Sequence, residues 1–133
     1  MKLYFKLIVL FFCYQASAQV EKSFDDGLGK FMQRDFKNAS IAFKEVIKIN
    51  PQNHEAHYYI GVCNIRLNFY KEAITNFDRA IEINPKYSKA YYNRGVARFY
   101  LSDNFSGCVD FKKAVEIDPT YDEALKSIRE FCN

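Results

Sequence analysis

The chain has no tryptophan, and only 5 glycines and 3 prolines among its 133 residues. Sandwiches and barrels change direction every few residues on glycine and proline, so this shortage argues against an all-β fold. Five scattered glycines also form no glycine-rich loop, which removes the phosphate cradle of nucleotide-binding proteins. The charge is nearly balanced, with 19 Lys and Arg against 16 Asp and Glu. A formal net charge of +3 is far from the dense cationic footprint that nucleic acid requires. Aromatic residues are plentiful: 13 Phe and 10 Tyr, in a chain that is 49% hydrophobic and able to bury a core. The length suits one domain or a short repeat array.

The N-terminus carries its own pattern. Lys2 and Lys6 give a positive start, an apolar run follows from Leu7 to Tyr14, and Ala16-Ser17-Ala18 offers a small-x-small cleavage site. Residues 1–18 therefore read as a signal peptide cut after Ala18, leaving residues 19–133 as the mature domain; an uncleaved anchor is the alternative. The apolar run is shorter than the roughly 20 residues of a spanning helix, and no segment after residue 18 could cross a bilayer. Phe12 precedes Cys13 where a lipoprotein-type signal needs a small residue. Losing Lys2 and Lys6 takes the basic residues from 19 to 17, against 16 acidic, so no basic balance remains to draw nucleic acid or an acidic membrane surface. The expected location is periplasmic or secreted.

The remainder is one unit written three times. Pro51, Pro85 and Pro119 fall 34 residues apart, preceded by EVIKIN, RAIEIN and KAVEID. Phe43, Phe77 and Phe111 keep the same interval, as do Gly27, Gly61 and Gly95. Ala73, Ile74, Phe77, Ala80 and Ile81 follow helical spacing on one face. Each proline comes just after a helix end, where it cannot continue the helix. Asn68 and Ser102-Asp103-Asn104 give the polar breaks within units. Each unit is thus a helix–turn–helix: residues 20–53, 54–87 and 88–121.

This pattern resembles the tetratricopeptide repeat (TPR) family. The segment AYYNRGVARFYL followed by DFKKAVEIDP is similar to nearly a whole repeat, and Ala73, Phe77, Ala80 and Pro85 match the family's second-helix pattern. The resemblance covers residues 20–121 and implies an all-α, right-handed superhelix of three TPR units. Residues 122–133 look like the first helix of a fourth unit and would serve as a capping helix over the exposed core. Gly61 and Gly95 stand where two helices approach, so alanine is expected to fit there and leucine is not. Repeat one departs at Ser23 and Asp26, where the family prefers large apolar groups. Repeat three departs at Asn104, where Phe36 and Tyr70 supply an aromatic, and at Gly107, which replaces Ala39 and Ala73; a loosened turn over 102–107 is expected.

Little in the chain suggests catalysis. His54 and His57 are spaced i, i+3 at the start of a helix, whereas a zinc site on one helix uses i, i+4 and a third ligand. They read as packing or helix-end histidines, and no metal, cofactor or catalytic residue is expected. The contrasting reading is a small metal- or thiol-dependent enzyme using His54, His57 or an exposed cysteine. Asn38-Ala39-Ser40 and Asn104-Phe105-Ser106 fit the glycosylation acceptor pattern.

The resemblance implies a groove lined by the first helices. Its residues are Phe24, Tyr58 and Tyr92; Leu28, Val62 and Val96; Phe31, Ile65 and Phe99, all apolar or aromatic. Within a unit, Tyr58, Val62 and Ile65 form one stripe. Such a surface is expected to be covered by an apolar or amphipathic segment of another protein, by self-association, or by packing between neighbouring helices. Arg66 and Lys89 would add an anionic contact at the edge. TPR proteins that clamp acidic chaperone tails use Lys and Asn in the first repeat; Phe24 and Leu28 stand there, and only Lys89 and Asn93 match. A structural spacer in an envelope assembly is a third reading.

Signal cleavage leaves Cys63, Cys108 and Cys132. Cys63 lies where repeat three has Ala97, so it reads as a small buried residue. Cys108 and Cys132 flank the Pro119 turn at similar distances, which brings them to one level of an antiparallel helix pair. A disulfide between them and a pair of independent thiols, Cys132 able to link two molecules, are both open.

Overall fold

The computed structural model describes residues 1–132, and all of its regular structure is helical. Seven helices follow one another: α1 (Lys2–Met32), α2 (Phe36–Ile49), α3 (His54–Arg66), α4 (Tyr70–Ile83), α5 (Ser88–Tyr100), α6 (Asn104–Ile117) and α7 (Asp122–Phe131). Packing joins α1 to α2, α3 to α4 and α5 to α6, and each second helix to the next first helix. This is the expected order of three helix–turn–helix units and a closing helix.

The repeat is visible atom by atom at the turns. Within units, three-residue breaks carry left-handed backbone at Arg34 (φ 63°), Asn68 (φ 65°) and Ser102 (φ 62°), all at one repeat position. The amides of Asp35, Phe69 and Asp103 donate back to Lys30, Asn64 and Arg98 at 2.8–2.9 Å. The turn of repeat three is therefore not loosened, contrary to the expectation from Asn104 and Gly107. Asp103 caps α6 by accepting from the Ser106 amide at 3.2 Å, as Asp35 does for α2, and the backbone bonds hold without the missing aromatic. Between units, Asn50, Asn84 and Asp118 precede the prolines, and their side-chain oxygens accept from the amides of Gln52, Lys86 and Thr120 at 3.0–3.2 Å. An Asx turn followed by proline stops each second helix and starts the next first helix.

The core is a column of small residues against one phenylalanine per unit. Phe43, Phe77 and Phe111 are buried, each lying on the glycine of its own first helix. A Cβ at Gly61 would come 2.6 Å from the Phe77 ring, and one at Gly95 2.7 Å from Phe111. These contacts leave no room for alanine, so the expectation that alanine fits is corrected: the ring already occupies the methyl's place. Gly107 has a similar reason. Phe31 meets Phe36 edge-on, but repeat three has Asn104 there, and Phe99 instead stacks on Phe111 with centroids 5.3 Å apart. In that pose its ring covers Gly107, where a Cβ would lie 2.3 Å away.

Repeat one's polar departures sit at the open end of the array. Asp26 pairs with Lys30, and Ser23 accepts from Gln19 at 3.3 Å. No preceding unit packs there, so polar groups suit the position. Packing begins at Val20, yet α1 continues upstream as one unbroken helix whose residues from Lys2 to Gln19 are exposed. That helix contains an 18-residue window of mean hydropathy 1.4. By length and composition it is able to cross a membrane, which corrects the estimate made from Leu7–Tyr14 alone; a signal sequence meets the same criterion. At the other end, Cys108 and Cys132 are joined, with S–S 2.05 Å and Cα–Cα 5.6 Å, tying α7 to α6.

Candidate functional site

All nine stripe residues on α1, α3 and α5 are half-buried. Their inner edges pack on the core while their outer edges face solvent: Phe24, Leu28 and Phe31 against the first cluster, Tyr58, Val62 and Ile65 against the second. Tyr92, Val96 and Phe99 line a cleft of about 330 Å³ with Tyr100, Phe111, Ser127 and Phe131. Each first helix thus carries its three stripe residues half-buried against the core, one set per repeat.

Much of that wall is also structural. Tyr59, one place past the stripe, stacks on Phe43 at 5.0 Å and lies edge-on to Phe24 and Phe31. It joins α3 to α1 and was absent from the sequence-derived set. Tyr58 packs on Phe77 and Tyr87, and its hydroxyl oxygen accepts from the Asn93 amide at 3.3 Å. Burial pushes the Tyr58 phenol up to about 12. Tyr92 similarly meets Phe111 and Tyr121. Local packing between first helices is thus part of what the aromatics do.

The two predicted cations are at different places. Arg66 ends α3, exposed, with its guanidinium 5.9 Å from the Phe36 ring. Lys89 is exposed in the first turn of α5. Asn93 spends its amide on Tyr58 and on the Lys89 carbonyl, at 2.9 Å for the latter. Phe24, in the place of a clamp lysine, is occupied against Phe43 and Tyr59.

The histidines are engaged in packing. His57 Nε2 donates to the Pro51 carbonyl at 3.0 Å, while His54 lies edge-on to Tyr87 and accepts from the Asn84 amide at 3.3 Å. Among the described residues, no group of three or more His, Cys, Asp or Glu is placed to hold a metal ion. Cys63 is buried, and burial pushes its thiol up to about 12.

Sequence reasoning also missed an ion network between repeats two and three. Asp110, 1% exposed, accepts from Arg94 Nε at 3.0 Å, Arg94 Nη2 at 2.8 Å and Arg98 Nη1 at 2.8 Å. Arg94 reaches Asp78 as well, at 2.6 Å. Burial alone would lower the Arg94 pKa, but the bonds to Asp110 and Asp78 outweigh it and the net shift is upward. The signal was available: Arg94 and Asp110 stand where repeat two has Ile60 and Asn76.

The family model described as TPR repeat matches residues 65–101. Solved structures agree in fold. The Arabidopsis OM64 TPR domain is 22% identical, with a TM-score of 0.86 over 88% of this chain and 97% of that one. The first TPR of Spaghetti (RPAP3), bound to an HSP90 peptide SRMEEVD, is 24% identical, with a TM-score of 0.84 over 87% and 92%. The first TPR domain of human RPAP3 is 26% identical, with a TM-score of 0.79 over 88% and 89%. No curated protein gives a significant match. The matched segment, residues 65–101, is a TPR repeat by its family model, and the fold of the described residues is the one these solved TPR domains share.

Proposed function

We propose that the protein is a non-catalytic interaction module that holds an apolar or amphipathic segment of a partner protein against α1, α3 and α5. One observation carries this reading: three successive first helices each present three half-buried apolar side chains at equivalent repeat positions, nine in all. Apolar surface of this extent is used for association, and an aromatic wall supplies rigid contact area at low entropic cost. The Spaghetti structure holds an acidic peptide. Here the first-repeat clamp positions are Phe24 and Leu28, so affinity would come from apolar burial, with Arg66 and Lys89 orienting the segment.

Export follows from the N-terminal pattern: residues 1–18 direct the chain out of the cytoplasm and are removed after Ala18, leaving a periplasmic or secreted domain. A second reading, retention of the N-terminal helix as an anchor, is favoured by its length and apolar window. The N-terminal residue of the purified protein separates them: Gln19 means cleavage, Met1 an anchor.

The groove is tested with Tyr92→Ala combined with Val96→Ser, whose side chains line the open cleft. Partner recovered from the native envelope fraction should fall at least about tenfold, as loss of buried interface anchors does. Normal recovery by a folded variant would refute the groove. A second copy as the only recovered partner would make self-association the use of the wall.

A further inference from the structure

Repeats two and three differ at one place where they should be equivalent. On the face opposite the groove, the second helices α4 and α6 are bridged by Arg94, which bonds Asp78 on one side and Asp110 on the other. Shifting each residue back by one 34-residue unit gives the corresponding place between α2 and α4. There Ile60 replaces Arg94, Asn64 replaces Arg98, Lys44 replaces Asp78 and Asn76 replaces Asp110. Ile60 is buried and stops short of the surface. The result is an open cleft of about 500 Å³ lined by Lys37, Ile41, Lys44, Leu67, Phe69 and Glu72 among others.

This cleft lacks the ion network of the neighbouring one: three of the four charged positions are neutral here, and Lys44 carries the opposite charge to Asp78. Lys37, Ile41 and Lys44 fall at i, i+4 and i+7, so two ammonium groups flank an apolar side chain along one stripe of α2. Their spacing is about two helical turns, or roughly 10 Å. No ion pair among the described residues involves Lys37 or Lys44. Ile41 and Phe69 are both more than half exposed, at 51% and 53%. Asn76 donates its amide to the Glu72 carbonyl, and Glu72, in the first turn of α4, lines the same cleft as the two lysines. Asp35, its carboxyl held low first by its bonds to Asn38, stands near enough to Lys37 to be lowered by it as well.

We propose that the cleft between α2 and α4 is a second docking site, on the convex face, for an acidic amphipathic segment of a partner protein. Its carboxylates would meet Lys37 and Lys44, and an apolar side chain between them would enter beside Ile41 and Phe69. The charge complementarity follows from two lysines, neither in an ion pair, against one carboxylate in the lining, and the apolar insertion from the room above Ile60. The proposal is independent of the groove, since no residue is shared.

The test uses the purified protein labelled with nitrogen-15 and two short synthetic helical peptides. One carries Glu at i and i+7 around a Leu; the other has Lys in place of Glu. With the Glu peptide at low salt, amide shifts should cluster over residues 37–44 and 69–76. Lys37→Glu with Lys44→Glu should weaken that binding by about tenfold or more and should gain binding to the Lys peptide, as charge exchange demands. The Tyr92→Ala, Val96→Ser variant should bind the Glu peptide as wild type does. Shifts confined to the groove, no shifts, or binding that survives charge reversal would each overturn the proposal. Dimerisation through this cleft, seen as concentration-dependent shifts without peptide, would overturn it too.

Discussion

Asp110→Ala is the perturbation whose outcome the structure sets most sharply. The carboxylate is 2% exposed and accepts three charge-assisted bonds from two guanidinium groups. Its removal leaves Arg94 and Arg98, whose side chains are 16% and 24% exposed, facing an empty site. Breaking a buried pair in this way typically destabilises by about 3–5 kcal/mol, because the orphaned charge stays desolvated. Arg94 keeps Asp78 and Arg98 is partly wet, which places the expectation near the lower figure, about 3 kcal/mol. Urea unfolding followed by circular dichroism measures it. Repeat two supplies the control: Arg94→Ile, Arg98→Asn and Asp110→Asn together install Ile60, Asn64 and Asn76 at the equivalent positions. That triple variant should recover most of the loss, since removing a whole buried network is commonly neutral while removing one member is not. A loss under about 1 kcal/mol for Asp110→Ala, or a triple variant worse than the single, would refute the reasoning.

Other outcomes are equally definite. Gly95→Ala should lower stability by about 1–3 kcal/mol through the clash with Phe111, whereas Gly29→Ala, with open space around it, should leave stability unchanged or slightly raised. Tyr58 and Cys63 hold their protons more tightly folded than unfolded, both reaching about 12 from ordinary values of 10.0 and 9.0. Their contribution is therefore complete below pH about 9 and is lost as pH rises toward 12, which a melting series from pH 8 to 11 would show as a falling midpoint. Native Cys63 should stay unreactive toward a thiol reagent until the chain unfolds. Cys132→Ser should reduce stability by at most about 3.5 kcal/mol, the chain-entropy value for closing a loop of this size, and a non-reduced digest should contain the peptide pair joined at Cys108 and Cys132.

The fold was legible because its determinants repeat. A proline at 51, 85 and 119, a phenylalanine at 43, 77 and 111 and a glycine at 27, 61 and 95 give three independent copies of one instruction. Each maps onto one contact: a stopped helix, a buried ring, a ring lying on a glycine. The stripe came from the resemblance to the TPR family, which points to the first helices, and the structure leaves its nine residues half-buried. What escaped reading was the way repeats differ. Gly107 makes sense only once Asn104 has removed the partner that Phe31 finds in Phe36, so that Phe99 turns over the neighbouring helix. Arg94 and Asp110 are neutral in repeat two, and only the three-dimensional pairing shows that the two changes compensate. Tyr59 lies one place off the stripe, but a ring is long enough to reach back across α1. Ser23 and Asp26 are departures from the repeat only until the end of the array is recognised.

The central claim is that the wall on α1, α3 and α5 holds a partner segment. A photo-reactive phenylalanine placed at Val62 tests it in cells that produce the protein, with the same residue at Glu116, exposed on α6, as comparison. The account predicts a discrete adduct from position 62, mapping to an apolar or amphipathic stretch of another protein, and no such adduct from position 116. Adducts from position 116 alone, or only a crosslink to a second copy of this chain, would contradict it.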